Sequence, residues 1–169
     1  AFVIARSGRP GPVLVDITKD AQQGKADFHY PDAVHLPGLH APAPPDAEAL
    51  DRAAELVDKA ERPLILAGAG VMRSGASQAL RDFAEKTSTP VALTLLGIGG
   101  FPQSHPLCLG MMGMHGEAWV NTAIQHADLI LAFGMRFDDR VTGNIKTYAL
   151  HAKKIHVEID PSEVGKNVK

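Results

Sequence analysis

Between residues 46 and 159, short apolar runs alternate with stretches of helical spacing, and this alternation limits the folds open to the chain more than any other feature. Asp46 suits a helix N-cap, and Leu50, Ala53, Ala54 and Val57 then recur at helical intervals, so a helix is expected over 46–60. Residues 63–67 (PLILA) are continuously apolar and end at Gly68, the pattern of a strand buried on both faces. Ala76, Ala79, Leu80 and Phe83 mark a second helix over 75–86, and 90–93 the next strand. A glycine-rich loop is expected over 97–116, a helix over 117–126 with Trp119 in the core, and a strand over 129–133 (LILAF). The last strand is 154–159 (KIHVEI), followed by the helix-start pair Asp160-Pro161.

Strands separated by helices imply an α/β fold: a parallel sheet with helices on both faces and right-handed crossovers. Ligands of such sheets bind at the carboxyl ends of the strands. Upstream the texture differs. Residues 13–17 (VLVDI) read as one strand belonging to another unit, preceded by the glycines and prolines of GRPGP (8–12). Residues 18–45 are polar, carry five prolines and hold no sustained period, as an interdomain linker would.

A formal net charge of −2 lacks the basic excess that phosphate neutralisation requires, which argues against nucleic acid. No apolar stretch approaches the roughly 18 residues of a membrane span. Cys108 is the sole cysteine, so no internal disulfide can form, and a cytoplasmic setting is expected. The first residue is Ala and no leader pattern follows it, as if the sequence began inside a longer protein. A final strand of the sheet is expected beyond Lys169.

Five strand ends carry candidate chemistry. Gly68-Ala69-Gly70 would let the backbone approach a phosphate-like anion, or simply make a tight turn; Arg73 takes the place of a third glycine and Thr94 that of the ribose-binding acid. Thr94 and Leu95 open a glycine-bearing loop beside a cofactor, or a mobile surface loop. Residues 110–116 (GMMGMHG) offer adaptable methionine surface for a flat aromatic ligand, or packing for a neighbouring domain. Residues 134–143 (GMRFDDRVTG) set two arginines and two aspartates where they could clamp an anionic or ribityl ligand; an Arg/Asp cluster stiffening the loop is the alternative. Glu158-Ile159-Asp160 could receive a ribose hydroxyl or adenine amine, with Asp160 as a helix cap the plainer reading. The eight histidines lack metal-ligand spacing, no catalytic triad order is present, and no metal or catalytic residue is assigned within these residues.

SGRPGPVLVDITKDAQQ (7–23), GMHG (113–116), GMRFDDRVTGN (134–144) and HVEIDPSEVGKN (156–167) together resemble the acetolactate (acetohydroxyacid) synthase catalytic subunit, a thiamine-diphosphate enzyme. GRPGPV is common to many such enzymes, whereas GMHG with RFDDRVTG is narrower. The resemblance implies three parts: residues 1–23 as the end of a pyrimidine-binding domain, 24–45 as linker, and 46–169 as a Rossmann-like FAD-binding central domain cut short at its end. It implies FAD contacts at Gly68, Ala69, Gly70, Thr94, Leu95, Gly113, Met114, His115, Gly134, Arg136, Asp138, Arg140, Val141, Glu158, Ile159 and Asp160. Met114, Asp139 and Arg140 match positions facing the substrate channel.

The family decarboxylates pyruvate and condenses the hydroxyethyl unit with pyruvate or 2-ketobutyrate, using thiamine diphosphate and Mg2+ held by other domains. The resemblance therefore implies a piece inert alone, from a cytoplasmic or, in a plant or fungal source, organellar homo-oligomer with a separate regulatory subunit, having no nucleic-acid or membrane partner. Some members of the family carry a linker arginine that reaches the flavin; residues 36–45 here hold His40 but no arginine. Glyoxylate carboligase, pyruvate oxidase and a noncatalytic nucleotide-binding module are the rival readings, RFDDRVTG disfavouring the oxidase most.

Overall fold

The computed structural model describes residues 1–33, 35–36 and 44–169; part of the expected linker, His40 included, lies outside the described residues. The chain divides into two compact units, Ala1–Pro44 and Pro45–Lys169.

The first unit holds two single-turn helices, α1 (Phe2–Arg6) and α2 (Lys19–Gln23). None of its described residues is buried. The strand expected over 13–17 is absent among the described residues: the segment carries no ladder, and Leu14 is 91% exposed. β-branched residues favour an extended backbone, but a strand exists only when a neighbour supplies its hydrogen bonds.

The second unit is the expected α/β sheet. α3 (Ala47–Lys59) begins where Asp46 accepts the Glu48 amide at 3.3 Å. It leads into β1 (Pro63–Ala67), α4 (Ala69–Arg73), α5 (Ser77–Thr87), β2 (Val91–Leu93), β3 (Cys108–Met111), α6 (Ala118–His126), β4 (Leu129–Phe133), α7 (Asp139–Thr142) and β5 (Lys153–Val157). The five strands are all parallel in the order β3-β2-β1-β4-β5. Strand order reverses between β1 and β4, whose five residues pair in full register from Pro63 with Leu129 to Ala67 with Phe133.

Alternate side chains of these strands feed two cores. Leu64, Leu66, Ile130 and Ala132 pack with Val120 and Ile124 of α6. Ile65, Ala67, Leu129 and Leu131 pack with Leu80 and Ala84 of α5, and with Leu56 and Val57 of α3. Burial on both faces is what demands an unbroken apolar run in β1 and β4.

Three elements depart from the sequence expectation. β3 lies inside the stretch expected to be loop; it is short, half-buried and irregular in register, and Gly110 sits at φ +106°. Trp119, expected in the core, is 64% exposed, and its indole N–H donates to the Leu109 carbonyl of edge strand β3 at 2.9 Å. After Asp160-Pro161 the chain makes one 3-10 turn (Pro161–Glu163) rather than a helix, with Asp160 accepting the Ser162 amide at 3.0 Å.

At the amino-terminal ends of the strands, Asp128 joins the starts of β1 and β4. Its carboxylate accepts the Glu61 and Arg62 amides at 2.8 and 2.9 Å, and the Arg62 side chain donates to the His126 carbonyl at 2.9 Å. Partial burial pushes this carboxyl up, but the two amides and the Arg62 charge outweigh that and leave it below the ordinary carboxylate range. A carboxyl lowered on folding adds stability that is present above its unfolded pKa and is lost as pH falls through the folded one. Asp128→Ala should therefore lower stability by about 1 kcal/mol at neutral pH, the carboxylate being open enough to solvent to reduce the usual value for charged hydrogen bonds. Denaturant titrations across pH should show the gap between variant and wild type closing once the medium is more acidic than the carboxylate range.

Candidate functional site

Because every strand runs the same way, all five carboxyl ends share one rim of the sheet. Backbone hydrogen bonds run along it: Met112 N–H to Leu93 O (2.9 Å), Thr94 N–H to Ala67 O (3.0 Å), Gly68 N–H to Phe133 O (3.0 Å) and Gly134 N–H to Val157 O (2.8 Å). Gly68, Thr94, Gly113, Gly134 and Glu158 thus follow one another's neighbours along a single edge. Four interstrand steps of about 4.8 Å make it roughly 19 Å long, a length suited to an extended dinucleotide.

The turn after β1 uses its glycines on the protein itself. Gly70 N–H donates to Gly134 O at 2.9 Å, and a Cβ on Gly70 would lie 2.5 Å from the Gly134 Cα. Gly68 faces Gly134 and Met135 as closely. The Gly68 and Gly70 amides, read from sequence as donors for an anion, are engaged by Phe133 O and Gly134 O instead. Glycine is required because two backbones meet at the point where the strand order reverses.

On the other core face the loop after β3 meets the loop after β4. Gly113 sits at φ +97°, its Cβ position 2.5 Å from the Arg140 carbonyl, and Met114 N–H donates to that same carbonyl at 2.8 Å. The Arg140 guanidinium rests against the Met114 sulfur at 3.4 Å. Asn121 of α6, which the sequence reading passed over, holds both backbone groups of Gly113 through its side-chain amide at 2.9 Å each. Beneath the loop after β4, the His156 imidazole donates to Met135 O at 2.7 Å and packs edge-on against Phe137. Neither residue stands out by type or spacing, since each acts on a partner distant in sequence.

The charged residues of 134–143 form a partly paired cluster. Asp138 caps α7 through the Val141 amide (3.2 Å) and accepts from Arg136 Nε (3.1 Å). Asp139 lies 3.9 Å from Arg140, both open to solvent. At the end of β5 the Glu158 carboxylate folds back onto the amides of Ile159 (3.0 Å) and Asp160 (3.3 Å). His115 is exposed at the rim, and Val141 is partly buried against the core.

Several apolar side chains stand exposed at the rim. Leu95 and Leu96 are each 69% exposed, Met114 58%, and Met72 and Ile159 also face outward. Contiguous exposed apolar groups beside cations mark surfaces that receive a ligand or another protein segment. Among the described residues, no group of three or more His, Cys, Asp and Glu is placed to hold a metal ion, and no helix is long and apolar enough to cross a membrane. An open groove of about 500 Å³ lined by Ser77, Arg81, Gly100 and Phe101 lies beside the start of α5 and includes none of the candidate residues.

A parallel sheet of order 3-2-1-4-5 with loops gathered at one rim agrees with the family whose model matches residues 50–169, "Thiamine pyrophosphate enzyme, central domain". The chain belongs to that family. Within it, the similarity extends along nearly the whole sequence to acetolactate synthases. The chain is 48% identical over 166 residues to the acetolactate synthase large subunit of Corynebacterium glutamicum, covering 98% of this chain and 26% of that protein. It is 51% identical over 169 residues to acetolactate synthase 1, chloroplastic, of Oryza sativa subsp. japonica, covering 99% and 26%. It is 49% identical over 172 residues to the probable large subunit of Methanocaldococcus jannaschii, covering 100% and 29%. The chain thus spans about a quarter of the length of these relatives. A solved structure, a putative thiamin diphosphate-dependent enzyme from Mycobacterium smegmatis, superposes with a TM-score of 0.72 at 27% identity, covering 98% of this chain and 31% of that one.

The glycine contacts at the rim give a direct test. Gly70→Ala should destabilise by about 1–3 kcal/mol, because its Cβ meets backbone that cannot rotate away. Gly11→Ala, with nothing within 4 Å of its Cβ, should change stability by less than about 0.5 kcal/mol. Urea unfolding of the two variants measures the difference.

Proposed function

We propose that this chain is the flavin-holding central part of an acetolactate synthase catalytic subunit, which decarboxylates pyruvate and joins the resulting two-carbon unit to a second 2-keto acid. The observation that carries this reading is the rim, where five strand ends bring exposed leucine and methionine surface together with the Arg136 and Arg140 guanidiniums. An isoalloxazine ring is flat and apolar over its dimethylbenzene end, and a pyrophosphate takes paired hydrogen bonds from arginine. FAD suits both. Near-50% identity to acetolactate synthases over almost every residue supports the same assignment.

In this reading Leu95, Leu96 and Met114 give apolar surface to the ring system, while Arg136 and Arg140 meet anionic or hydroxyl-bearing parts of the ligand. Gly113, His115, Gly134 and Val141 shape the loops around it, and Glu158, Ile159 and Asp160 receive the nucleoside end. Gly68, Ala69, Gly70 and Thr94 form the floor. Met114, Asp139 and Arg140, all solvent-facing at the rim, border the route taken by 2-keto acids. Asp138 keeps α7 in place as its cap.

Thiamine diphosphate, bound with Mg2+ by parts of the enzyme outside these residues, supplies the electron sink for decarboxylation. Residues 1–23 close a preceding pyrimidine-binding domain and 24–45 link it to the central domain, which accords with apolar side chains such as Phe2, Leu14 and Phe28 standing exposed in the first unit. The chain alone contributes no catalytic group. The working enzyme is a homo-oligomer with a regulatory subunit, in the cytoplasm or, in a plant or fungal source, an organelle.

The test is purification of the full-length protein, followed by its flavin absorbance and acetolactate formation from pyruvate with thiamine diphosphate and Mg2+ added. Flavin should copurify and acetolactate should form without net flavin reduction. A flavin-free protein whose acetolactate yield equals that of buffer would overturn the assignment.

A further inference from the structure

We infer that Asn121 is a positioning residue for the flavin-facing rim, acting through Gly113; this rests on the flavin reading above. The side-chain amide of Asn121 makes two hydrogen bonds to one residue: Oδ1 accepts the Gly113 N–H and Nδ2 donates to the Gly113 carbonyl, each at 2.9 Å. A primary amide carries one acceptor and one donor group at the spacing of a peptide unit, so it pairs with both backbone groups of Gly113 as a neighbouring strand would. Gly113 is buried, and without Asn121 its N–H would lose its partner while its carbonyl would keep only the Gly116 N–H, at 3.0 Å.

The position so held is a demanding one. Gly113 is in the left-handed region at φ +97°, and its Cβ position lies 2.5 Å from the Arg140 carbonyl. The next residue, Met114, donates its amide to that carbonyl at 2.8 Å. The loop after β3 is therefore gripped on one side by α6, through Asn121, and on the other by the start of α7.

Two strands, β2 and β1, separate β3 from β4 in the sheet, so no ladder bond ties these loops together. The Asn121–Gly113–Met114–Arg140 chain of contacts does so instead. It brings the Met114 sulfur to 3.4 Å from the Arg140 guanidinium and presents both at the rim. Loss of the amide frees Gly113 to move and takes the Met114 and Arg140 side chains from the ligand together. Asn121 itself lies on the inner side of the loop, so its effect on ligand passes through Gly113. It is not a catalytic residue.

The experiment uses the full-length protein, stripped of flavin and titrated with FAD, for wild type, Asn121→Ala, Asn121→Asp and Asp128→Ala. Asn121→Asp keeps the acceptor for the Gly113 amide and removes the donor to its carbonyl. Asp128→Ala reports a stability loss from the amino-terminal ends of the strands. Asn121→Ala is expected to weaken FAD binding about tenfold, the effect of losing two ordinary hydrogen bonds, and to alter the visible circular dichroism of the bound flavin. Asn121→Asp should fall between it and wild type, and it carries the comparison if the alanine variant does not fold. Asp128→Ala should bind FAD as wild type does, although its melting temperature is lower. FAD affinity in both Asn121 variants within twofold of a flavin-binding wild type would overturn the inference while leaving the flavin reading intact. A wild type that binds no FAD would overturn the flavin reading and this inference with it.

Discussion

Everything at the rim depends on the pairing of β1 with β4, two strands buried on both faces, at the point where strand order reverses. Five residues of each lie in register, and the ladder continues past the strands as Gly68 N–H to Phe133 O and Gly70 N–H to Gly134 O. Backbone touches backbone there, so the loops after β1 and β4 keep a fixed relation, and the loops after β2 and β5 are hung on them by one further hydrogen bond each. In an open α/β sheet this reversal ordinarily leaves a crevice for ligand. Here the glycines draw the two loops together at its floor, and the accessible surface lies above them, where Leu95, Met114, Arg136 and Arg140 reach outward.

How far the sequence could be read follows from how local each determinant is. PLILA and LILAF match β1 and β4 to the residue, because a strand covered on both faces has no polar position to blur its ends. The helices at 47–59, 77–87 and 118–126 were likewise legible from spacing and from the Asp46 cap. β3 was not: four half-buried residues with a glycine at positive φ offer neither a continuous apolar run nor an alternation. VLVDI erred the other way, since residue type suggested a strand whose pairing partner is absent from the described residues.

The candidate site divides along the same line. GMHG and RFDDRVTG lie on one rim because parallel strands carry every carboxyl end to the same side, a consequence of topology alone. Which groups serve the protein and which remain available needed coordinates. Asp138 and Asp160 are helix or turn caps, Glu158 is folded onto its own backbone, and the amides of Gly68 and Gly70 are already bonded. Asn121 and His156 are ordinary residues by type, and their importance comes from contacts 8 and 21 positions away.

The central claim, that the carboxyl-terminal rim is where this chain holds a flavin dinucleotide, is tested most directly by amide hydrogen exchange on the full-length protein with and without FAD. Peptides covering residues 94–97, 112–116, 134–143 and 158–160 should slow together when FAD is added, while those covering 60–62 and 126–128 at the amino-terminal ends of the strands stay unchanged. Protection confined to the groove around 98–103, or spread equally over both ends of the strands, would contradict it.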